Sequence, residues 1–186
     1  VFGFVQLTGR FAFKKASGSF ARNDGVAITG EYLTVGADIP TATVSAGGVG
    51  LSLSDMELGM LLASYDNATV DTADDTGYTV IKAKVGSASI IGIDGLDLTV
   101  SDFFLEINQA KYTVSGVAFA DVLDFNAGGG NAGSPFDVST GPASPAVTLD
   151  MDGDEGNLLQ AAGDLELDVF GFVQLTGRFA FKKASG

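Results

Sequence analysis

The two ends of this 186-residue chain carry the same sequence. Residues 1–18 read VFGFVQLTGRFAFKKASG, and residues 169–186 repeat all eighteen letters at an offset of 168. Chance does not produce such a match, so the segment belongs either to successive units of a tandem array or to a duplication that completes one fold. We favour the array. Residues 1–186 are then one tandem-repeat module with a period of 168, in which 169–186 begins the next unit.

A period of two among the apolar residues predicts strands. Over residues 165–181 the odd positions are apolar or glycine and most even positions are polar, which is typical of β-structure. A single strand of that length is unusual, so we expect Gly171 and Gly177 to bend or bulge it. Phe170 and Phe172 interrupt the polar face, and we expect them to cover a neighbouring sheet or a neighbouring unit.

Alternation of the same kind recurs along the chain. From residue 96 to 107 the apolar positions change from even to odd at Ser101–Asp102, which predicts a bulge or a tight turn. Residues 55–65 fit a strand, but also a short helix capped by Ser54. Lys82 and Lys84 alternate with apolar residues and are expected to point outward.

Other stretches complete the predicted architecture. Residues 147–151 fit a strand with Thr148 and Asp150 outward, whereas residues 127–145 are rich in Gly, Ala, Ser and Pro and are expected to form a mobile loop. The fold class predicted from these patterns is all-β, an elongated antiparallel β-sandwich or roll with long, glycine-bulged strands.

Composition excludes several kinds of chemistry. The chain has neither cysteine nor histidine, so it contains no disulfide, no catalytic triad that uses histidine and no histidine zinc site. Its net charge of −13 repels nucleic-acid backbones, so we expect no nucleic-acid partner. No run of about 18 apolar residues is present, so we expect no membrane insertion. Because it starts at Val1 without a leader pattern, we expect the chain to be a piece of a longer protein.

Acidic clusters are the candidate metal sites. Asp150, Asp152 and Asp154 stand at positions 1, 3 and 5 of a calcium-loop-like pattern, which makes calcium the one cofactor the residues suggest. Two features of a calcium loop are missing, because Glu155 replaces the expected glycine and Ala161 replaces the final glutamate. Residues 71–75 and 23–25 are further candidates. All three clusters also fit turns or a solvated surface.

In its long identical repeat, its lack of cysteine, its Asp-rich acidity and its glycine-punctuated strands, the whole chain resembles the extender modules of giant bacterial surface adhesins, including those exported with calcium-binding RTX segments. The residues that carry the resemblance are GFVQLTGRFAFKKASG, present twice, and GLDLTVSDFFLEIN. The GGxGxD nonapeptide of RTX segments is absent. The resemblance implies a secreted, extracellular protein of the bacterial cell surface, active in cell adhesion and biofilm formation. It assigns no catalytic or binding residue to this chain.

Two functions therefore remain open at this stage. The first is a structural spacer, whose partners are the identical neighbouring repeats and whose role is to project a distal ligand-binding region. The second is a ligand-binding module for glycan or protein, repeated for avidity, with Phe170 and Phe172 as candidate contacts. Motif searches give no support for an enzyme, since no nucleophile elbow or phosphate-binding loop occurs.

Overall fold

Antiparallel strands form most of the protein, as the alternating patterns predict. The structure is a computed structural model that describes residues 4–66, 75–111, 113–114, 117–118, 121–126 and 133–185. Its elements are β1 (Phe4–Ala21), β2 (Ala27–Ala46), β3 (Val49–Tyr65), β4 (Thr76–Ile91), β5 (Leu96–Lys111), β6 (Thr113–Val114), β7 (Val117–Ala118), β8 (Phe136–Val138), β9 (Val147–Leu149), a 3-10 helix (Gly153–Glu155), β10 (Leu158–Val169) and β11 (Val173–Lys183).

Seven of these strands form one sheet in the order β1-β2-β3-β4-β5-β10-β11. Every neighbouring pair is antiparallel, so the chain runs up and down across the sheet in steps of one strand. Only the step from β5 to β10 contains a long connection. That connection holds the small pairs β6-β7 and β8-β9.

A line of irregular residues crosses the middle of the sheet. Asp55 of β3 and Asp102 of β5 have left-handed φ angles of 52° and 50°, and both lie opposite Gly86 of β4. We call this the break line. A left-handed residue shifts the alternation by one position, so Leu53 before it and Met56 after it pack in the same apolar cluster. The slip predicted at Ser101–Asp102 is thus confirmed.

The hydrophobic core lies between one face of the sheet and the segment that contains β8 and β9 (residues 121–126 and 133–157), which we call the covering segment. We call this face the packed face and the opposite one the open face. The core cluster comprises Phe20, Ile28, Tyr32, Leu61, Ala63, Tyr78, Val80, Leu123, Phe125, Val138, Leu149, Met151 and Leu158. Two glycines allow the close approach, because a Cβ at Gly36 would lie 2.0 Å from the Ser139 carbonyl oxygen and one at Gly59 2.8 Å from Val147.

Beyond the break line, the packed face is polar. A row of hydroxyl side chains crosses four strands at Thr41, Ser54, Ser87 and Ser101, which are successive cross-strand partners. We call this half of the sheet the polar half and the other the core half. The fold is therefore an antiparallel β-sandwich with one large and one small layer, which confirms the predicted class.

Three local expectations need correction. Residues 165–181 are two strands of a hairpin, joined at Phe170–Phe172. Val169 pairs with Val173, so the alternation continues through the turn and conceals it; Gly171 bends the chain there with φ 70°, whereas Gly177 sits in a regular ladder. Residues 55–65 belong to strand β3, so the alternative of a helix is wrong.

Two further corrections concern the packed face. Lys82 does not point outward to solvent: it lies on the packed face with a side chain only 16% exposed. Residues 127–132 of the predicted loop lie outside the described residues, but its remainder contains β8 and contributes fully buried Val138 to the core. The segment is short of apolar residues, but Val138 is fully buried and Phe136 packs, partly buried, against the core.

Candidate functional site

The duplicated segment forms both outer strands of the sheet. Its first copy supplies β1, which pairs with β2, and its second copy supplies β11, which pairs with β10. Identical residues thus occupy opposite edges of one sheet. Each copy has one edge paired and one edge open, and an open strand edge presents unpaired backbone donors and acceptors.

Cross-strand register fixes how the two copies are related. One row of partners runs from Phe13 in β1 through β2, β3, β4, β5 and β10 to Lys183 in β11. Lys183 is the second copy of Lys15, two residues from Phe13. In the polar half, Leu7 reaches Gly177, the second copy of Gly9, by the same kind of row. The two copies are therefore offset by two residues, and equivalent side chains lie on the same face.

The paired edges of the two copies are complementary. β1 and β11 are the first and seventh strands of an up-and-down sheet, so they run in the same direction, and their equivalent side chains lie on the same face of the sheet. Their partners β2 and β10 lie on opposite sides. The edge that β1 uses for β2 is consequently the edge that β11 leaves open, and the reverse is also true. One strand of this sequence could pair with both neighbours at once.

Charge on the two copies matches the same arrangement. Arg10 lies 3.3 Å from Asp38 of β2, and its second copy, Arg178, lies 2.8 Å from Asp164 of β10. Lys15 lies 2.9 Å from Glu31 of β2, and Lys182 pairs with Glu155. The repeated segment carries three basic residues and no acid. A single copy placed between β10 and β2 would thus stand between two acidic neighbours.

The open face is apolar from one edge strand to the other. Two complete rows on either side of the break line cross all seven strands. The row in the core half is Phe11, Ala37, Leu58, Ala83, Leu105, Ala161 and Phe181; the row in the polar half is Leu7, Ala42, Leu53, Ala88, Val100, Leu165 and Gly177. Side chains are most exposed at the edges, where Phe13 is 71% and Phe181 55% exposed.

The packed face of the sheet contains a groove. It has a volume of about 650 Å³ and lies where the covering segment ends, close to the break line. Carboxylates of Asp55, Glu57 and Asp102 line it together with Lys84 and the ring of Phe104. This lining offers hydrogen-bond acceptors, one cation and one aromatic surface to a polar ligand.

Lys82 stands at the edge of this groove and links the two layers. Its ammonium group lies 3.3 Å from Glu106 of β5 and also pairs with Asp150 of the covering segment. The Gln160 amide donates to Glu106 as well. Burial acts to lower the pKa of Lys82, but the bond to Asp150 and the charge of Glu106 outweigh it, so the net shift is upward.

The aspartates predicted to bind calcium have other roles in the structure. Asp150 pairs with Lys82, whereas Asp152 caps the 3-10 helix: its Oδ1 accepts from the Asp154 amide at 2.9 Å and its Oδ2 accepts from Asn126 at 2.9 Å. Asp154 is exposed. Within the described ranges, no three acidic side chains come close enough to share a metal ion. Calcium at these residues stays a prediction, and it requires them to rearrange.

The acidic cluster at residues 23–25 is held by local contacts. Asp24 accepts a hydrogen bond from the Val26 amide at 3.0 Å and pairs with Arg22, which holds the pKa of Asp24 below its usual value. Gly25 has a φ of 81°, so this cluster forms a turn. Residues 71–74 lie outside the described residues.

Buried Tyr78 lies next to this turn. Burial raises the pKa of its hydroxyl, and the nearby positive charge of Arg22 offsets part of that rise. Tyr78 is only 2% exposed and belongs to the core cluster.

Phe170 and Phe172 lie in the β10-β11 turn, not on a neighbouring sheet. They are 60% and 92% exposed, and Phe170 has a left-handed φ of 53°. The Phe170 amide donates to the carbonyl of Gly95 at 2.5 Å, which ties this turn to the start of β5. Sequence reasoning missed the groove and the open apolar face, although the change of parity at Asp55 and Asp102 was a usable signal for the latter.

Comparisons with protein-family models, with curated proteins and with solved structures find no match to this chain. Among the residues that the structure describes, no helix is long and apolar enough to cross a membrane.

Proposed function

We propose that this chain is one unit of a tandem array whose function is structural, as an extender or spacer. The observation that carries the proposal is the complementarity of the two edge strands. Each copy of the repeated segment leaves open the edge that the other copy uses. A strand shared between consecutive units would satisfy both sets of backbone groups and would remove the open edges inside the array.

The shared strand defines the geometry of the array. Since β11 of one unit would serve as β1 of the next, each unit adds six strands, and the sheet lengthens by about 29 Å at about 4.8 Å per strand. The two-residue offset displaces each unit by about 7 Å along the strands. The units thus follow one another in a continuous sheet rather than as separate beads.

Charge favours an extended form of this array. One 168-residue unit carries 7 basic and 23 acidic residues, a net charge of −16. Consecutive units repel one another, and this repulsion opposes folding back of the array. At each junction the basic repeated segment would lie between acidic strands and attract them. Elsewhere the net negative charges of consecutive units repel each other.

The setting follows from the resemblance to adhesin extender modules. We place the array outside the cell, on a bacterial surface, where it would project a distal ligand-binding region in adhesion. A spacer needs reach and resistance to unfolding but no catalytic group, and long strands with a shared junction provide these properties.

A protein of two periods followed by one closing strand tests the proposal. Small-angle X-ray scattering should fit a continuous sheet that is about 29 Å longer across the strands than in the single unit, and calorimetry should show a higher melting temperature because one open edge pair is removed. A matched control joins two complete 186-residue chains by a flexible linker, so that no strand is shared. If both proteins melt like the single unit and behave as two flexibly linked bodies, the shared strand is wrong.

The groove on the packed face favours a second candidate, a repeated ligand-binding module. Its acidic lining and the ring of Phe104 fit a hydroxyl-rich glycan. Binding of a glycan panel to the single unit, with loss in Glu57→Gln and Phe104→Ala but not in Ser45→Ala on the far end of the packed face, would support it. No binding across the panel removes this candidate.

A further inference from the structure

The open face is too large and too apolar to remain in contact with water. Its apolar part, from the row of Leu96 to the row of Phe13, covers seven strands about 4.8 Å apart and about 12 residues of each, an area of about 1,300 Å². The largest apolar patch on an ordinary monomer is about 300–600 Å². The apolar cluster on this face consists of residues of the sheet itself, whereas the covering segment contacts the packed face at Gly36 and Gly59.

Charge is absent from the centre of the open face. Neither of its two complete rows contains an ionisable or polar side chain, although the chain as a whole carries −13. Two of the acids that pair with the edge strands, Asp38 and Asp164, lie on the packed face, whereas Glu31 pairs with Lys15 near one end of the open face. Two copies of this chain can therefore meet along these rows without burying a charge, while Lys15, Glu31 and Lys183 stay at the margin of the contact.

We propose that the open face packs against the open face of a second copy of this chain. The result is a layered assembly in which two seven-stranded sheets lie about 10 Å apart. The apolar parts of two such faces would bury about 2,600 Å² in total, within the range of permanent homodimers. Contact between identical faces gives a closed, two-fold dimer, in contrast to the open-ended growth that pairing of strand edges would produce.

The tandem neighbour cannot supply this cover. A unit joined through a shared strand continues the same sheet, so its open face points to the same side. The interface proposed here is independent of the array, because the isolated 186-residue chain already carries the complete face.

Two substitutions on the same strand distinguish a contact through the open face from one through the packed face. Ala83 lies on the open face in the middle of β4, and Ser87 lies on the packed face of the same strand in the polar half. Ala83→Lys places a charge in the proposed interface, whereas Ser87→Lys adds the same charge to a surface that stays in solvent. Phe13→Lys, at a position that is 71% exposed, provides a second open-face variant that the folded monomer tolerates easily.

Sedimentation equilibrium of the purified chain from low to high micromolar concentration tests the proposal. We expect a mass of twice 18.9 kDa for the unaltered chain and for Ser87→Lys, and a dissociation constant weakened at least about 100-fold in Ala83→Lys and Phe13→Lys. Circular dichroism confirms that each variant is folded.

Several outcomes would overturn the proposal. The first is a monomer at every concentration, and the second is a dimer that both open-face variants leave intact. The third is open-ended polymers that these variants do not affect, which would indicate association through strand edges. Vesicles of phosphatidylcholine form a separate arm: a monomer that binds them through the open face would show that lipid, and not a second copy, covers it.

Discussion

Removing Lys82 should destabilise the fold far more than removing its neighbour Lys84. Lys82 joins β4 to Glu106 of β5 and to Asp150 of the covering segment, and its side chain is 16% exposed. Lys84 lies two residues further on the same face and is exposed. Lys82→Met keeps the length of the aliphatic chain and deletes only the charge, while Lys84→Met makes the same change at an exposed position.

The expected loss follows from geometry and burial. At 3.3 Å and an effective dielectric constant of about 20, the attraction between Lys82 and Glu106 is about 5 kcal/mol before desolvation is subtracted. Breaking a fully buried pair costs about 3–5 kcal/mol, mostly because one charge is left without a partner. Asp150 is 50% exposed and can regain water, and Glu106 keeps its bond from Gln160. We therefore expect Lys82→Met to lower the free energy of unfolding by about 2–3 kcal/mol.

Urea denaturation of the single and double variants measures this loss. The double variant Lys82→Met/Glu106→Gln removes both charges and should recover most of the stability, leaving it within about 1 kcal/mol of the unaltered chain. The upward pKa shift of Lys82 adds a pH signature. A raised folded-state pKa gives stability that is complete below about pH 10 and declines as the pH rises through the folded value, and Lys82→Met should lack that decline. A loss in Lys82→Met no larger than in Lys84→Met would refute the reasoning.

Three further predictions concern the core, alkaline pH and calcium. Gly36→Ala places a Cβ against the Ser139 carbonyl oxygen and should cost about 2–4 kcal/mol in urea denaturation, whereas Gly77→Ala, which has open space around it, should cost little. The raised pKa of buried Tyr78 means that the unfolded chain loses its proton first, so stability should fall from about pH 10 upward, and Tyr78→Phe should reduce that fall. If calcium binds at the predicted aspartates, it should raise the melting temperature and Asp154→Ala should abolish the rise; an identical melt with calcium and with chelator ends that hypothesis.

Period-two patterning predicted the fold class because every long strand has one apolar face. It could not predict the hairpin within residues 165–181, since a turn that pairs Val169 with Val173 keeps odd residues on the same face before and after it. The left-handed φ of Phe170 adds to the difficulty, because a phenylalanine gives no turn signal. Glycine at 171 was the single local clue.

The candidate site was less predictable than the fold. The duplication predicted a boundary strand, but only cross-strand register could reveal that its copies use opposite edges. The role of Lys82 was hidden for a related reason: alternation assigns a residue to a face but does not say whether that face meets water or another layer. Residues 133–145 are poor in apolar residues, so nothing in their composition marked this stretch as part of the second layer.

The positions of the two copies also bear on why the segment is duplicated. If the duplication served to complete one closed fold, both copies would occupy the same position in the sheet and pair with the same strand. Here β1 and β11 lie six strands apart, about 29 Å, and each pairs with a different partner. This arrangement has the symmetry of a translation, and a translation repeats every surface of the unit along the array. In the array that we propose, the apolar open face would become a continuous stripe, and the polar half of the packed face would become another. The apolar stripe would need a cover along one entire side of the array. A second array of the same kind could provide this cover.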